Sequence, residues 1–485
     1  MFQFSIPVID WPSVLPIIFV ALTGMLALVV EMLTAKRHNG FVVAVSLIGL
    51  AGTAGYLIDQ LGMASVESAG GMVVRDQFGL VMELLLLLAA FLCILFSDSY
   101  LREKRVAFGE FYPLPLWSTV GGMVMATSKN LLVIFLGLEV LSIALYVMAG
   151  MSRSEEKSEE SALKYFLLGA FASGFLLYGI AFVYGATGSL YLPDLGTAWT
   201  HSTGATHGLL LFGLGMILIG LGFKTSFVPF HQWTPDVYQG APTNVTAFMA
   251  AGAKIGAFAA LWRVLDGCLP LVDLWMPALF WIAILTMTVG NLIAVVQKDV
   301  KRILAYSSIA HAGYILVAIL AHFKAPDKIG ATTVTYYLLS YTLMTVGAFA
   351  VVSLSARKGS EDTSLQSLNG LRKRSPLAAA ALTLFMLSLI GMPPTAGFFG
   401  KTMIFMDALN AGLMPLAIVL AVNSVISIYY YLGIVVASMV SEDKDNVAVA
   451  TPLHRGPAGA TLLCSLGIIA IAIFLAPLGN LLAAR

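Results

Sequence analysis

Charge is scarce in this chain of 485 residues. Asp, Glu, Lys and Arg make up 11% of it, against 59% hydrophobic residues. That balance excludes a soluble globular domain. Mean hydropathy is +0.89, and apolar runs long enough to cross a hydrocarbon core of ~30 Å recur along the whole length. Net charge is +1, so no bulk electrostatic footprint for nucleic acid exists. Cysteine is equally sparse. Cys93, Cys268 and Cys464 lie far apart in apolar surroundings without metal-type spacing, and read as packing residues. Of the seven histidines, only His231 and His311 fall well inside apolar segments, so no haem pair is offered. FFGKT (398–402) has the tail of a phosphate-binding loop, but Thr395 stands where that loop needs glycine. No cofactor and no metal is therefore expected in this chain. The first apolar run, Trp11 to Leu33, has no basic segment before it and no small-residue cleavage site after it. It reads as a retained helix.

What is present is a series of hydrophobic spans joined by short loops. Fourteen crossings are expected, roughly at 12–34, 41–59, 77–97, 110–128, 130–150, 161–186, 208–226, 241–265, 275–296, 302–322, 331–354, 377–410 (broken), 413–438 and 457–482. Alternate loops sort the cations. One side holds seventeen: Lys36, Arg37, Arg102, Lys104, Arg105, Arg153, Lys157, Lys298, Lys301, Arg302, Arg357, Lys358, Arg372, Lys373, Arg374, Lys444 and Arg455. The other holds five: Arg75, Lys129, Lys324, Lys328 and Arg485. The positive-inside rule puts the rich side in the cytoplasm and both termini outside, in a bacterial inner membrane. Lys164, Lys224, Lys254, Arg263 and Lys401 remain, all within expected crossings.

Two segments echo each other 171 residues apart, LKYFLLGAFASGFL (163–176) and VTYYLLSYTLMTVG (334–347). The same offset carries the break around Pro229 to within a turn or two of MPPTAGFFGK (392–401), where prolines and glycines again interrupt a crossing beside a lysine. Each unit has about five helices, an odd number, so the second must enter the membrane from the opposite side. The expected fold is an all-α polytopic membrane protein of about 14 helices with two inverted five-helix repeats, each containing a broken helix. A three-helix segment (1–109) precedes the core (110–440, halves about 110–265 and 275–438), and one crossing (441–485) follows. Paired broken helices in inverted halves point to an ion or substrate path.

A charged lysine at mid-membrane costs at least ~2.5–3.5 kcal/mol, so each intramembrane ionisable group needs a reason. Glu139 near mid-depth of the fifth crossing and Lys224 just before the first break read as a switchable pair, or as a structural ion pair. Lys254, in AGAKIGAF, has no acid within helical reach and suits a proton relay better than packing. His311, in SSIAHAGY, is a relay group or a satisfied core hydrogen-bonder. Lys401 follows the second break; snorkelling is the bland account, but its place opposite Lys224 in the repeat favours function. His231 in the break either relays protons or caps freed backbone. Lys164 pairs with Glu160 four residues before it. Arg263 reads as snorkelling, and Tyr429 to Tyr431 as an aromatic belt. Free lysine titrates near ~10.4, and loss or gain of a neighbouring carboxylate changes how firmly an amine in a dry site holds its proton. A row of Lys224, Lys254, His311 and Lys401, bridged by water, is thus a device for gated proton movement without its own energy source.

GLGFKTSFVPFHQWTPDVYQGAPTNVTAF (220–248), LGLEVLSIALY (136–146), SSIAHAGY (307–314) and PPTAGFFGK (393–401) resemble, in order, the antiporter-like membrane subunits of respiratory complex I. The run TPDVYQGAPT points to the subunit N family. Lysine at 401 argues against subunit M, and ending after the fourteenth crossing argues against subunit L. Asn244 stands where the family commonly has proline. The resemblance implies a redox-inert, proton-translocating subunit of NADH:quinone oxidoreductase, with FMN and iron–sulfur clusters in partner subunits. It implies roles for Glu139 and Lys224 as a gating pair, Lys254 as the central lysine, His311 as a bridge and Lys401 as the terminal lysine. It also implies partners among the other membrane subunits (M and small subunits such as K, J and A), with quinone bound elsewhere in the complex and lipids around it. A multisubunit cation/proton antiporter, or the membrane arm of a proton-pumping hydrogenase, is the rival reading on the same core.

Overall fold

Apolar runs in a lipid solvent have one way to satisfy their backbone without partners, and the chain takes it almost throughout. The computed structural model of the protein describes residues 8–34, 39–104, 109–153, 155–201, 203–357, 360–441, 455–475, 479 and 482. Six of the cations sorted above, Lys36, Arg37, Arg105, Lys358, Lys444 and Arg485, lie outside the described residues, as does most of the last crossing beyond Leu475.

Helices α1 (Trp11–Leu33), α2 (Gly40–Asp59) and α3 (Gln77–Glu103) form the first segment, with a hairpin of β1 (Val66–Ser68) and β2 (Val73–Arg75) before α3. Then come α4 (Pro113–Ala126), α5 (Leu131–Ala149), α6 (Glu156–Thr187), the short α7 (Leu192–His201) and α8 (Ala205–Thr225). After an irregular turn, α9 (Trp233–Gly240) and α10 (Thr243–Phe248) lead through a π-helical stretch, Met249–Ala253, into α11 (Lys254–Gly267). The second half holds α12 (Val272–Val295), α13 (Val300–Lys324), α14 (Thr332–Val352), a hairpin of β3 (Ala356–Arg357) and β4 (Ser360–Glu361), α15 (Leu371–Arg374), α16 (Pro376–Ile390), α17 (Ala396–Asn410) and α18 (Met414–Met439). Helix α19 (Arg455–Ile473) packs back on α3 and α14, with Gly456 against the Leu95 carbonyl and Gly467 against Leu343.

Each of the fourteen expected crossings has its helix. Among the described residues, twelve are long and apolar enough to span. The other two are α4, of 14 residues, and the interrupted pair α16–α17. The sequence reading drew 241–265 as one regular helix. Instead α10 and α11 are joined by the π-helical stretch, which widens the coil immediately before Lys254.

Polarity sorts the helices. An 18-residue stretch of each of the spans at 243–267 and 300–324 is buried throughout, and one of α14 nearly so, whereas α5, α6, α12 and α18 expose Leu, Val and Phe on one side. Helices enclosed on all sides thus make the centre, and those with largely apolar outer faces make the perimeter. Small residues set the crossings. A Cβ on Gly121 of α4 would stand 2.4 Å from the Leu141 nitrogen of α5, and one on Gly179 of α6 would stand 2.6 Å from the Gly213 carbonyl of α8.

Both broken helices stop in the left-handed region, at Ser226 (φ 67°) and Gly391 (φ 89°), and each is followed by a cis proline bond, Val228–Pro229 and Pro393–Pro394. These stops lie 391 − 226 = 165 residues apart, six fewer than the offset of the echoed segments. The freed groups find partners inside the protein. Phe227 N–H donates to Gly222 O (2.8 Å) and Met392 N–H to Leu387 O (3.0 Å). Val228 N–H donates to the Thr286 hydroxyl (3.0 Å), and the Trp233 indole to Phe223 O (2.9 Å). Helix α16 starts at the face holding Arg374 and Arg302, and α8 at the opposite one, so the two breaks are approached from opposite sides.

Ion pairs tie each face together. At the basic face Lys104 Nζ meets Glu155 (2.6 Å) and Glu361 (3.0 Å), and Arg302 meets Asp236 (2.8 Å). Burial raises the Glu361 carboxyl, but Lys301 and Lys104 beside it hold it below the usual carboxylate range. At the other face Lys129 meets Glu67 (2.6 Å). Arg263 does not snorkel. It is 4% exposed and grips Asp76 through both guanidinium ends (2.5 and 2.7 Å), with its Nε on Ala126 O (2.9 Å). Snorkelling needs a free path to water; here α3 supplies a carboxylate instead. Breaking such a pair strands a charge. Arg263→Leu is expected to lower stability by about 3 kcal/mol, read as earlier thermal unfolding of the purified complex. Adding Asp76→Asn is expected to restore most of that loss, since asparagine still caps α3 without a lone charge.

Candidate functional site

The end of α8, the start of α11, the middle of α13 and the first turns of α17 bring the four expected nitrogen groups into the bundle interior. Lys224, Lys254, His311 and Lys401 are 3%, 2%, 1% and 7% exposed. None of the three lysines makes an ion pair among the described residues; polar neutral groups and ring faces solvate them instead.

Lys224 Nζ donates to the Ser142 hydroxyl (2.8 Å) and the Tyr165 hydroxyl (2.9 Å), with the Tyr165 and Tyr146 ring centres 5.0 and 5.7 Å away. Glu139 lies one turn before Ser142 on α5, but it does not touch the lysine. Its carboxylate accepts from the Ser173 hydroxyl of α6. A cavity of ≈ 10 Å³, lined by Ser142, Tyr146, Ser173 and Lys224 among others, borders the amine and the serine that holds Glu139. That is about the space one water needs.

Lys254 Nζ donates to the Ser308 carbonyl of α13 (2.5 Å). One turn on, His311 has both ring nitrogens engaged, Nδ1 with the Tyr337 hydroxyl (2.8 Å) and Nε2 with the Tyr431 hydroxyl (3.1 Å). Two charged groups face the imidazole, Lys254 and Lys401. Lys401 Nζ donates to Ile390 O (2.9 Å), the last carbonyl of α16, and lies 5.0 Å from the centre of the Tyr314 ring. The second break therefore does not merely lie beside its lysine; it hands the ammonium an acceptor that an unbroken helix would use itself.

His231 and Lys164 stand apart from this row. His231 is half-buried in the first break, with Nδ1 unpartnered. Lys164 is 41% exposed at the basic face, between Glu160 (2.7 Å) and Asp236 (2.7 Å), and Asp236 also binds Arg302. An interfacial ion-pair cluster accounts for it.

The sequence reading missed the tyrosines. It placed Tyr429 to Tyr431 in an aromatic belt, which holds for Tyr429 (70% exposed) alone; Tyr430 and Tyr431 are 4% and 0% exposed and face the site. A rotation of about 100° per residue turns successive tyrosines to different sides, and that periodicity was the available signal. A second group had none. Tyr238 of α9, Ser308 of α13 and Tyr341 of α14 are all buried, and the Ser308 hydroxyl lies within reach of both phenols. Yet none of the three hydroxyls completes a hydrogen bond among the described residues. Three such hydroxyls from three helices, beside the carbonyl that Lys254 holds, are the polar partners that a buried water would need.

Comparison with known proteins fits this geometry. The family model described as NADH:quinone oxidoreductase/Mrp antiporter, TM, matches residues 128–427. NADH-quinone oxidoreductase subunit N of Trichlorobacter lovleyi is 45% identical over 424 residues, 87% of this chain and 86% of the relative. Subunit N 1 of Sorangium cellulosum is 42% identical over 483 residues, 95% of each. Among solved structures, a chain of Thermus thermophilus respiratory complex I with bound aureothin superposes with a TM-score of 0.81 at 35% identity, covering 96% of this chain and 99% of that one. A chain of the Mrp complex from Dietzia sp. shares the fold, with a TM-score of 0.82 at 22% identity over 98% of this chain and 96% of that one.

An experimental map that resolves water is expected to show an ordered molecule among Tyr238, Ser308 and Tyr341. A dry gap there, with each hydroxyl turned to another acceptor, would count against a wet approach to Lys254.

Proposed function

The chain belongs to the subunit N family of NADH-quinone oxidoreductase and is a proton-translocating membrane subunit of that complex, and from this premise we propose that protons move along Glu139, Lys224, Lys254, His311 and Lys401. The observation that carries the reading is the solvation of the lysines. An ionisable side chain inside a bilayer pairs with another charge or with backbone carbonyls; these lysines have no carboxylate partner among the described residues and are held by hydroxyls, carbonyls and ring faces, which stabilise an ammonium and also accept a neutral amine. Such an amine can lose its proton without leaving an unpaired acid behind.

Glu139 and Lys224 then act as a gate. With one water between them, Lys224 is coupled to the carboxylate and holds its proton; with the water lost, the amine faces only Ser142 and Tyr165 and releases it. His311, hydrogen-bonded on both sides and facing Lys254 and Lys401, bridges the central and terminal lysines. The bend at each broken helix gives water its place in an otherwise dry bundle.

The basic face lies in the cytoplasm and both termini on the periplasmic side of a bacterial inner membrane, a placement the charge asymmetry supports. The chain itself is redox-inert. FMN and iron–sulfur clusters belong to partner subunits, quinone binds elsewhere, and the neighbours are the membrane subunit M and small subunits such as K, J and A. The driving energy reaches Lys224 from outside this chain.

Lys224→Ala is expected to leave the complex assembled while cutting coupled quinone reduction and NADH-driven proton uptake roughly tenfold or more, the scale of a lost proton-transfer group. Wild-type pumping in an assembled Lys224→Ala complex would refute the gate. Tyr165→Phe, which removes one of the two acceptors of the unpaired amine, is expected to give a smaller loss in the same proteoliposome assay; no loss would deny the tyrosine that role.

A further inference from the structure

The perimeter helix α12 carries one residue that the proton row does not use. Asn291 is wholly buried, on a helix whose outer side is otherwise apolar, and its amide is almost fully engaged. Nδ2 lies 2.8 Å from Met287 O, 3.1 Å from the Tyr314 hydroxyl of α13 and 3.3 Å from Asn423 Oδ1 of α18, while Oδ1 accepts from the Tyr430 hydroxyl at 2.8 Å. The Met287 carbonyl fixes which way the amide points, because only the nitrogen can face it. Asn423 is tied in turn to the Thr288 hydroxyl (3.3 Å) and Val419 O (3.0 Å). One side chain therefore joins three helices at a single point.

Both of its phenol partners lead to the site. The Tyr314 ring lies 5.0 Å from Lys401 Nζ. Tyr430 adjoins Tyr431, whose hydroxyl meets His311 Nε2. We propose that Asn291 is a positioning residue for proton transfer: by holding the Tyr314 hydroxyl it fixes the ring face against Lys401, and so sets how firmly that lysine keeps its proton. The inference rests on the reading of Lys401 as a relay group. An aromatic face stabilises a cation only while the cation stays over the ring, and a tyrosine anchored at its far end cannot tip away. The titratable groups facing Lys401 are His311 and Tyr314 from α13 and, beside Gly400, Tyr336 and Tyr337 from α14. Helices α16 and α18 carry no charged residue, and α19 only Arg455 at its start. On α17 itself Asp407 is held by Thr333. The Tyr314 ring, together with the Ile390 carbonyl, is thus what favours ammonium over amine at Lys401.

The test uses the whole assembled complex in proteoliposomes, with NADH-driven pumping followed against pH for Asn291→Leu, Tyr314→Phe, Tyr314→Leu and Lys401→Ala. Asn291→Leu and Tyr314→Phe remove the two ends of one hydrogen bond. Each is expected to move the pH dependence of pumping to lower pH by roughly half a unit, and the double variant no further than either alone. Tyr314→Leu, which also removes the ring, is expected to shift it further. A purely packing role would lower assembly or thermal stability with the pH profile unmoved, and that result overturns the proposal, as does an additive double variant. If Lys401→Ala pumps like the wild type, the relay reading falls, and this inference with it. If Lys401→Ala is inactive while Asn291→Leu and Tyr314→Phe keep the wild-type profile, only the positioning role falls.

Discussion

An amine in hydrocarbon must be solvated by the protein itself, and the architecture follows from how this chain does so without supplying acids. An acid beside each lysine would neutralise it permanently and lock the proton in place. Carbonyls, hydroxyls and ring faces are weaker partners, so they demand near-complete enclosure. The three fully or nearly buried spans, α10–α11, α13 and α14, are that enclosure. The apolar outer faces of α5, α6, α12 and α18 are its wall against lipid.

Breaking a helix is the means of obtaining carbonyls. In a continuous helix every interior C=O is committed to the N–H four residues on. The stop at Gly391 frees Ile390 O, which Lys401 takes. At the Ser226 stop Phe223 O accepts from both the Ser226 N–H and the Trp233 indole, and Lys224 turns to hydroxyls instead. The two halves thus use the same break for different ends, although each puts a lysine beside it. Lys254 has neither arrangement. It follows a π-helical stretch and reaches across to Ser308 O of α13. That carbonyl is shared with the helix ladder, so Lys254 is the least well solvated of the three. It is also the one beside three hydroxyls that lack partners.

The fold was legible in the sequence because lipid simplifies the reading. Hydrophobic length fixed fourteen crossings, and the prolines with a neighbouring lysine marked both breaks. The lysines and His311 were legible because ionisable residues in such runs are rare. The tyrosines were not, because tyrosine is equally at home in an interfacial belt and in a buried hydrogen bond, and only its angle on the helix distinguishes them. Tyr165, Tyr314, Tyr337 and Tyr431 therefore had to be seen. Arg263 failed for a related reason. Its depth near a helix end suggested snorkelling, but Asp76 is 187 residues away in sequence, and no local pattern links them. The Ser142 and Ser173 hydroxyls, which separate Lys224 from Glu139, were invisible for the same reason: a serine in a span usually bonds its own helix.

The proposed gate turns on that separation. Had Glu139 touched Lys224 directly, the pair would be a low-energy trap whose opening would have to move two helices. Here the acid is bonded to α6, the amine to α5 and α6, and the space bordering Lys224 and Ser173 is about one water in size. Coupling between the charges can then be switched by hydration or by side-chain rotation, with the backbone of α5, α6 and α8 left in place. Those helices are pinned by glycine contacts, α6 on α8 at Gly179 and Gly213, that leave no room to slide. A rigid frame around a small wet gap favours motions confined to a side chain and one solvent molecule, which is the scale of change that a proton-moving subunit can repeat on every turnover.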